Sequence, residues 1–162
     1  MNGNRAARAS AFTLVEVLLV LAIIAGIAAL VIPNLIGARE EAKIDQTRIG
    51  IAKVMGALAR YSNKLDFPTS EQGLDALVTK PTFDTPEKDK MWFGPYLDAS
   101  DLMDAWGSKL SYKLEEVTDS SSGRTSQKPR LYSFGPNKTD DNGEGDDIKD
   151  KAWLDESAST NK

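Results

Sequence analysis

Apolar side chains fill the chain from Phe12 onward, and from Val17 to Ala38 there are 22 residues without a charge. A helix rises about 1.5 Å per residue, so this band matches a bilayer hydrocarbon core of roughly 30 Å, and the pattern predicts a membrane-spanning helix. Beyond Pro33 the periodicity changes without stopping. Ile44, Ile51, Met55 and Leu58 follow spacings of seven, four and three, with Val54 and Tyr61 beside them. Glu40, Glu41, Lys43, Asp45, Arg48, Lys53 and Arg60 take the other faces. The helix is therefore expected to continue as an amphipathic half. Pro33 is expected to kink or locally unwind it, because proline removes a backbone donor and its ring clashes with the preceding turn.

Thr69 and Gln72 have the spacing of a capping box before a short helix from Ser70 to Val78, stopped by Thr79-Lys80-Pro81. Lys80 to Trp92, with two prolines and many charges, reads as a surface loop covering one edge of the domain. Lys109 to Leu114 alternates apolar and polar residues and predicts a half-buried strand. Asp119 to Pro129, rich in serine around Gly123, is the turn, and Arg130 to Phe134 is the return strand, ended by Gly135-Pro136. The pattern as a whole predicts an α+β fold in which a long N-terminal helix, with a transmembrane half and an amphipathic half, packs on a small antiparallel sheet.

Composition narrows the chemistry. The 162 residues include no Cys and no His, so disulfides, thiol chemistry and the commonest general base and metal ligand are all absent. The net charge of −4, with acidic residues concentrated late in the chain, argues against a nucleic-acid partner, which needs a basic stripe. Nothing resembles an active site, and no enzymatic role is expected. One charge stands out inside the apolar band, Glu16, preceded by a basic leader, Met1 to Ala11, that carries Arg5 and Arg8. A carboxylate there costs about 2.5–3.5 kcal/mol on insertion scales and asks for a partner. Cleavage between Ala11 and Phe12 would create an α-amino group at the depth of Glu16. An ordinary secretory signal would be cut after its apolar core, yet no Ala-x-Ala lies just beyond Ile32, and Ala9-Ser10-Ala11 is on the wrong side. A plain membrane anchor accounts for the apolar band and the cytoplasmic arginines but gives no reason for Glu16.

Ala11-Phe12-Thr13-Leu14-Val15-Glu16, followed by the apolar run to Pro33-Asn34-Leu35, resembles the N-terminal signature of type IV pilins and type II secretion pseudopilins, with Ala11 where Gly is usual. More specific is the ordered series Phe67-Pro68-Thr69-Ser70-Glu71-Gln72-Gly73-Leu74, Gly94-Pro95-Tyr96-Leu97, Asp104-Ala105-Trp106-Gly107, Ser133-Phe134-Gly135-Pro136 and Gly145-Asp146-Asp147-Ile148, with a late Trp153. This series resembles the major pseudopilins of type II secretion systems over nearly the whole chain; Ala105 stands where that family usually has Pro, implying some loss of turn rigidity. The resemblance implies a pilin-like fold with a cleaved leader (1–11), a transmembrane polymerisation helix (12–38) and a periplasmic domain (39–162). It implies a prepilin peptidase acting at Ala11 and Phe12, N-methylation of Phe12, and Glu16 setting the register of a homopolymer. Expected partners are minor pseudopilins, an inner-membrane assembly platform with its ATPase, and membrane lipid before assembly. The implied location is the inner membrane, crossed once, with the N-terminus cytoplasmic before processing. The alternative is a type IV pilin of a surface or competence filament, which more often carries a C-terminal Cys pair.

One candidate binding site remains. Asp140, Asp141, Glu144, Asp146 and Asp147 place five carboxylates within eight residues, a crowding that solvent or a hard cation such as calcium relieves. An EF-hand starting at Asp140 is excluded, because its twelfth position is Lys151 where a bidentate Glu is required. From the residues alone, a solvated acidic turn without metal stays open. The resemblance implies a structural calcium held by the Phe134 carbonyl, Asn137 in place of the usual turn Asp, Asp146 and Asp147, with Asp140 or Asp141 assisting in a longer loop.

Overall fold

The computed structural model describes residues 12–118 and 123–160. Its longest element is helix α1, Leu14–Ser62. Helical backbone runs through position 33, so the expected local unwinding at Pro33 does not occur in the single chain. A proline removes one rung of the hydrogen-bond ladder, and the turns on either side hold the remainder. By length and composition α1 can cross a membrane. Internal contacts divide the chain between Arg39 and Glu40 into two compact units.

From Glu40 onward the predicted amphipathic stripe is the core-forming face. Thr47, Ile51, Val54, Ala57, Leu58 and Tyr61 are buried, at spacings of three, four and seven. The apolar ones share one core with Leu65, Leu74, Leu77, Leu97, Leu102, Leu110, Leu131 and Ile148, against which Ile44 and Met55 are half-buried. The sheet has strand order β1-β2-β3, from β1 (Ser111–Thr118), β2 (Thr125–Ser133) and β3 (Ile148–Lys149), all antiparallel. The predicted hairpin is therefore present and longer than its apolar alternation suggests. Its outer half, where Thr118 faces Thr125, is exposed and polar and carries no periodic apolar signal. Cross-strand pairs hold the hairpin, among them Arg130 Nε to Glu115 Oε2 at 2.9 Å. Pro129, expected in the turn, lies in β2 opposite Leu114. It is tolerated because β3 pairs only with Tyr132 and Ser133 and leaves that edge open.

Two other expectations are corrected. The Thr69–Gln72 box forms reciprocally, with Gln72 N–H donating to Thr69 Oγ1 and Thr69 N–H to Gln72 Oε1, both at 3.1 Å. The α-helix expected over Ser70 to Val78 is instead a 3-10 helix, Gly73–Leu77, because Gly73 adopts φ +57° and breaks the first turn. The Lys80 to Trp92 loop contains helix α2, Pro86–Met91, whose N-cap Thr85 accepts from Lys88 N–H and whose first position is proline. Helix α3, Lys151–Thr160, and strand β3 have no counterpart in the predicted elements.

Two of the quoted motifs meet at the end of β2. Buried Asp104 accepts from Trp106 N–H (2.9 Å) and Ser108 N–H (2.8 Å) through Oδ1, and from the Ser133 hydroxyl through Oδ2 (2.6 Å). Ser133 Oγ in turn accepts from Gly135 N–H at 3.0 Å. Ala105 uses the N–H that a proline would lack, donating it to buried Thr47 Oγ1 at 3.2 Å and so tying this turn to α1. Asp104→Ala strands three donors, one of them the buried Ser133 hydroxyl. It is expected to destabilise the unit from Glu40 onward by about 3 kcal/mol, and Ser133→Ala by about 1 kcal/mol, in urea unfolding. A difference of the opposite order would show that Asp104 is not the anchor.

Asp101 supplies a pH test. Lys53 Nζ, 2.7 Å from its carboxylate, holds the Asp101 carboxyl below its ordinary range, with the Asp98 N–H adding to the effect. A depressed folded pKa stabilises above the unfolded value of about 3.9 and loses that contribution as pH falls through the folded value. Asp101→Asn is therefore expected to narrow the stability gap between neutral and acidic pH, read as Tm across an acid titration.

Candidate metal site and helix terminus

The acidic loop begins where β2 ends. Gly135 sits at φ +64°, and a Cβ there would lie 2.3 Å from the Asp146 carbonyl oxygen, so the turn admits only glycine. Phe134 packs edge-on against Tyr132 at 6.0 Å between ring centroids. Asn137 then draws two distant carboxylates together. Its backbone N–H donates to Asp146 Oδ2 at 3.0 Å, and its amide nitrogen donates to Asp146 Oδ1 and to Asp141 Oδ2, the latter at 3.2 Å. The amide N–H groups thus stand between two anions, where a cation would otherwise offset their repulsion.

Asp147 feels the charges of Asp141 and Asp140 and is only partly satisfied. Its Oδ2 accepts from Gly143 N–H at 2.7 Å, whereas its Oδ1 is buried without a hydrogen-bond partner. Burial pushes the Asp147 carboxyl above the usual carboxylate range; the charges of Asp141 and Asp140 add to this, and N–H groups of Gly143 and Asp141 oppose it. The orphaned Asp147 oxygen, with the carboxylates of Asp141 and Asp146 and the Asn137 amide oxygen on the same loop, gives an all-oxygen donor set of the kind calcium takes. Among the described residues no three acidic side chains converge as a ready-made cage. Seating a cation therefore requires the Asn137 amide to turn its oxygen inward.

Asp140 is held by the neighbouring strand and by its own turn. Its Oδ1 accepts from the Tyr132 hydroxyl and from Asn142 N–H, each at 2.9 Å, and these bonds, led by the Asn142 N–H, hold its carboxyl below the usual range. It braces the loop on the buried Tyr132 ring. Glu144 is engaged by Lys149 at 3.0 Å. Asn137 therefore joins Asp141 to Asp146, Asp147 carries the orphaned oxygen within reach of the Asp141 and Asp140 charges, and Asp140 is held to Tyr132.

At the other end of the chain, Ala11 lies outside the described residues, so the cleavage junction is not seen. Phe12 is exposed. Glu16 has a local partner that the apolar pattern did not reveal. Its Oε2 accepts from Thr13 N–H (3.1 Å) and Thr13 Oγ1 (3.2 Å), while Glu16 N–H donates to Thr13 Oγ1 (3.2 Å). This is a reciprocal capping box, legible after the fact in the Thr-x-x-Glu spacing. The large apolar side chains from Leu14 to Ile36 are half-exposed or more, Leu14 and Leu30 reaching 77%. Such a surface needs lipid or neighbouring helices.

Comparison with known proteins places the chain among relatives. The family described as Type II secretion system (T2SS), protein G matches residues 34–151. Type II secretion system core protein G of Aeromonas hydrophila is 43% identical over 104 residues, covering 62% of this chain and 70% of that one. The protein of the same name from Dickeya chrysanthemi is 36% identical over 132 residues, covering 80% of this chain and 78% of that one. The crystal structure of the major pseudopilin from the type 2 secretion system of enterohaemorrhagic Escherichia coli has a TM-score of 0.48 at 27% identity, covering 75% of this chain and 92% of that chain. The chain belongs to the type II secretion system protein G family.

Proposed function

We propose that the chain is the structural subunit of a pseudopilus, polymerising in the periplasm to support protein export across the outer membrane. The observation that carries this reading is the apolar half of α1, exposed on every described face yet bearing one carboxylate near its start. A binding domain tethered to a bilayer has no need of that charge. A filament subunit uses it in register. The surface type IV pilin reading is disfavoured by membership of the secretion family.

In this reading a prepilin peptidase removes Met1 to Ala11 and methylates Phe12, and the chain waits in the inner membrane with its globular part outside. Thr13 satisfies the Glu16 carboxylate during that wait, since the capping box needs no second chain. Assembly exchanges this local partner for the α-amino group of Phe12, in the same or a neighbouring subunit. Homopolymer contacts, minor pseudopilins, the assembly platform and its ATPase complete the set of partners. The role is structural.

The acidic loop is read as a calcium site formed by Asn137, Asp141, Asp146 and Asp147, with the Phe134 carbonyl. Bound calcium would supply positive charge among these carboxylates and staple a loop in a domain without cysteines.

Two experiments test this reading. Glu16→Val is expected to insert normally and to lose filaments in cross-linking, because breaking a buried ion pair costs about 3–5 kcal/mol. Mature protein should begin at Phe12 by intact mass. Normal filaments from the Val variant, or a chain starting beyond Ile32, would sink the reading.

For the loop, calcium should raise Tm and chelation lower it, since a ligand bound only to the folded state stabilises by about 2.7 kcal/mol at a hundredfold excess over Kd. Magnesium should substitute poorly. Asp147→Ala should abolish the response, whereas Glu87→Ala, on exposed α2, should leave it intact. Identical Tm in calcium and chelator would reduce the loop to a solvated turn.

A further inference from the structure

The loop is gripped from its far side by α3. Gly143 is buried at φ +84°, and a Cβ there would meet Trp153 Cη2 at 2.5 Å, so the indole lies directly on the loop backbone. The same residue gives its N–H to Asp147 Oδ2. Gly143 therefore has two neighbours at once, an aromatic face and the carboxylate with the orphaned oxygen.

Trp153 is itself fixed from several directions. Its ring meets buried Tyr132 edge-on, with centroids 5.6 Å apart at 79°. Lys149 Nζ and Arg130 Cζ each lie 5.2 Å from the ring centroid, a distance at which cations are attracted to the indole face. Its backbone N–H donates to Asp150 Oδ1 at 3.0 Å. Asp150 is buried and locked to β2, exchanging bonds with both the N–H and the carbonyl of Leu131. The indole is thus fixed against the sheet, and the glycine turn is pressed on it.

We infer that Trp153 is a positioning residue for the loop, holding Gly143 so that its N–H orients the Asp147 carboxylate toward a divalent cation, and so linking cation binding to the docking of α3. This rests on the calcium reading above. Groups one shell out from a metal set the aim of its ligands, and their loss typically lowers affinity about 10- to 100-fold. A residue that only fills space would lower stability with and without calcium alike; a positioning residue changes Kd itself.

The test is a calcium titration by calorimetry on the full chain in detergent micelles, with circular dichroism in chelator to confirm that each variant is folded. Trp153→Ala is expected to raise Kd by about tenfold or more. Trp153→Phe, which keeps a flat ring on Gly143, should stay near wild type. Gly143→Ala alone should weaken binding, and its effect should not add to that of Trp153→Ala, since both act through one contact. Terbium used as the probe should show tryptophan-sensitised emission that is lost in Trp153→Phe although Trp92 and Trp106 remain. Should Trp153→Ala be unfolded in chelator, Trp153→Leu makes the same comparison. A Kd equal to wild type in the folded Ala or Leu variant overturns the inference and leaves the calcium reading standing. A wild-type chain that binds no calcium overturns both.

Discussion

Burial of one stripe of α1 in a common core with β2 is the constraint on which the rest of the structure depends. Ile51, Val54, Leu58 and Tyr61 from the helix and Leu131 from the strand are all nearly solvent-free, and their burial is the main drive to fold a unit that has no disulfide. Both neighbours of β2 in the sheet are weaker. β1 carries its pairing into an exposed polar ribbon, and β3 offers two residues. Each is stable because β2 is already fixed by the helix.

Polar anchoring follows the same logic. Asp104 and Asp150 are both buried carboxylates, and each binds the end of β2, one through the Ser133 hydroxyl and the other through the Leu131 backbone. A buried charge without such partners would cost several kcal/mol, so these two positions fix where the chain leaves and re-enters the sheet. The acidic loop is the connection between them. Its entry is set by Gly135 on Ser133, and its return by Ile148 beside Ser133 in the ladder. The loop is therefore long in sequence but closed at its base, which lowers the entropy to be lost when it orders.

Elements with a strong apolar period were legible in the chain. The helical stripe, the hairpin and the Thr69–Gln72 reciprocal bonds all rest on local spacing, and each forms. What escaped was decided by single residues or by tertiary contact. Gly73 at positive φ cuts a helix that composition permits, and Thr85-Pro86 starts one inside a loop that charge and proline content suggested was irregular. The outer hairpin has no buried face to write a pattern. Helix α3 depends on Asp150 as its anchor and on Trp153 against Tyr132, which only folding brings together. The candidate site was legible as a crowd of carboxylates and by resemblance. The division of labour within it was not, because which of Asp140 and Asp141 faces Asn137 is settled by Tyr132, a residue on the strand.

That division explains how five carboxylates coexist in eight residues. Asp140 is stabilised by hydrogen bonds from Tyr132 and Asn142, and Glu144 by Lys149, so two of the five are satisfied within the protein. Asp141 and Asp146 share one neutral amide, a weaker solution than a cation because it carries no charge to offset theirs. Asp147 keeps a buried oxygen with nothing to accept from. The remaining repulsion thus falls on Asp141 and Asp146 at their shared amide and on Asp147 in its partly buried setting.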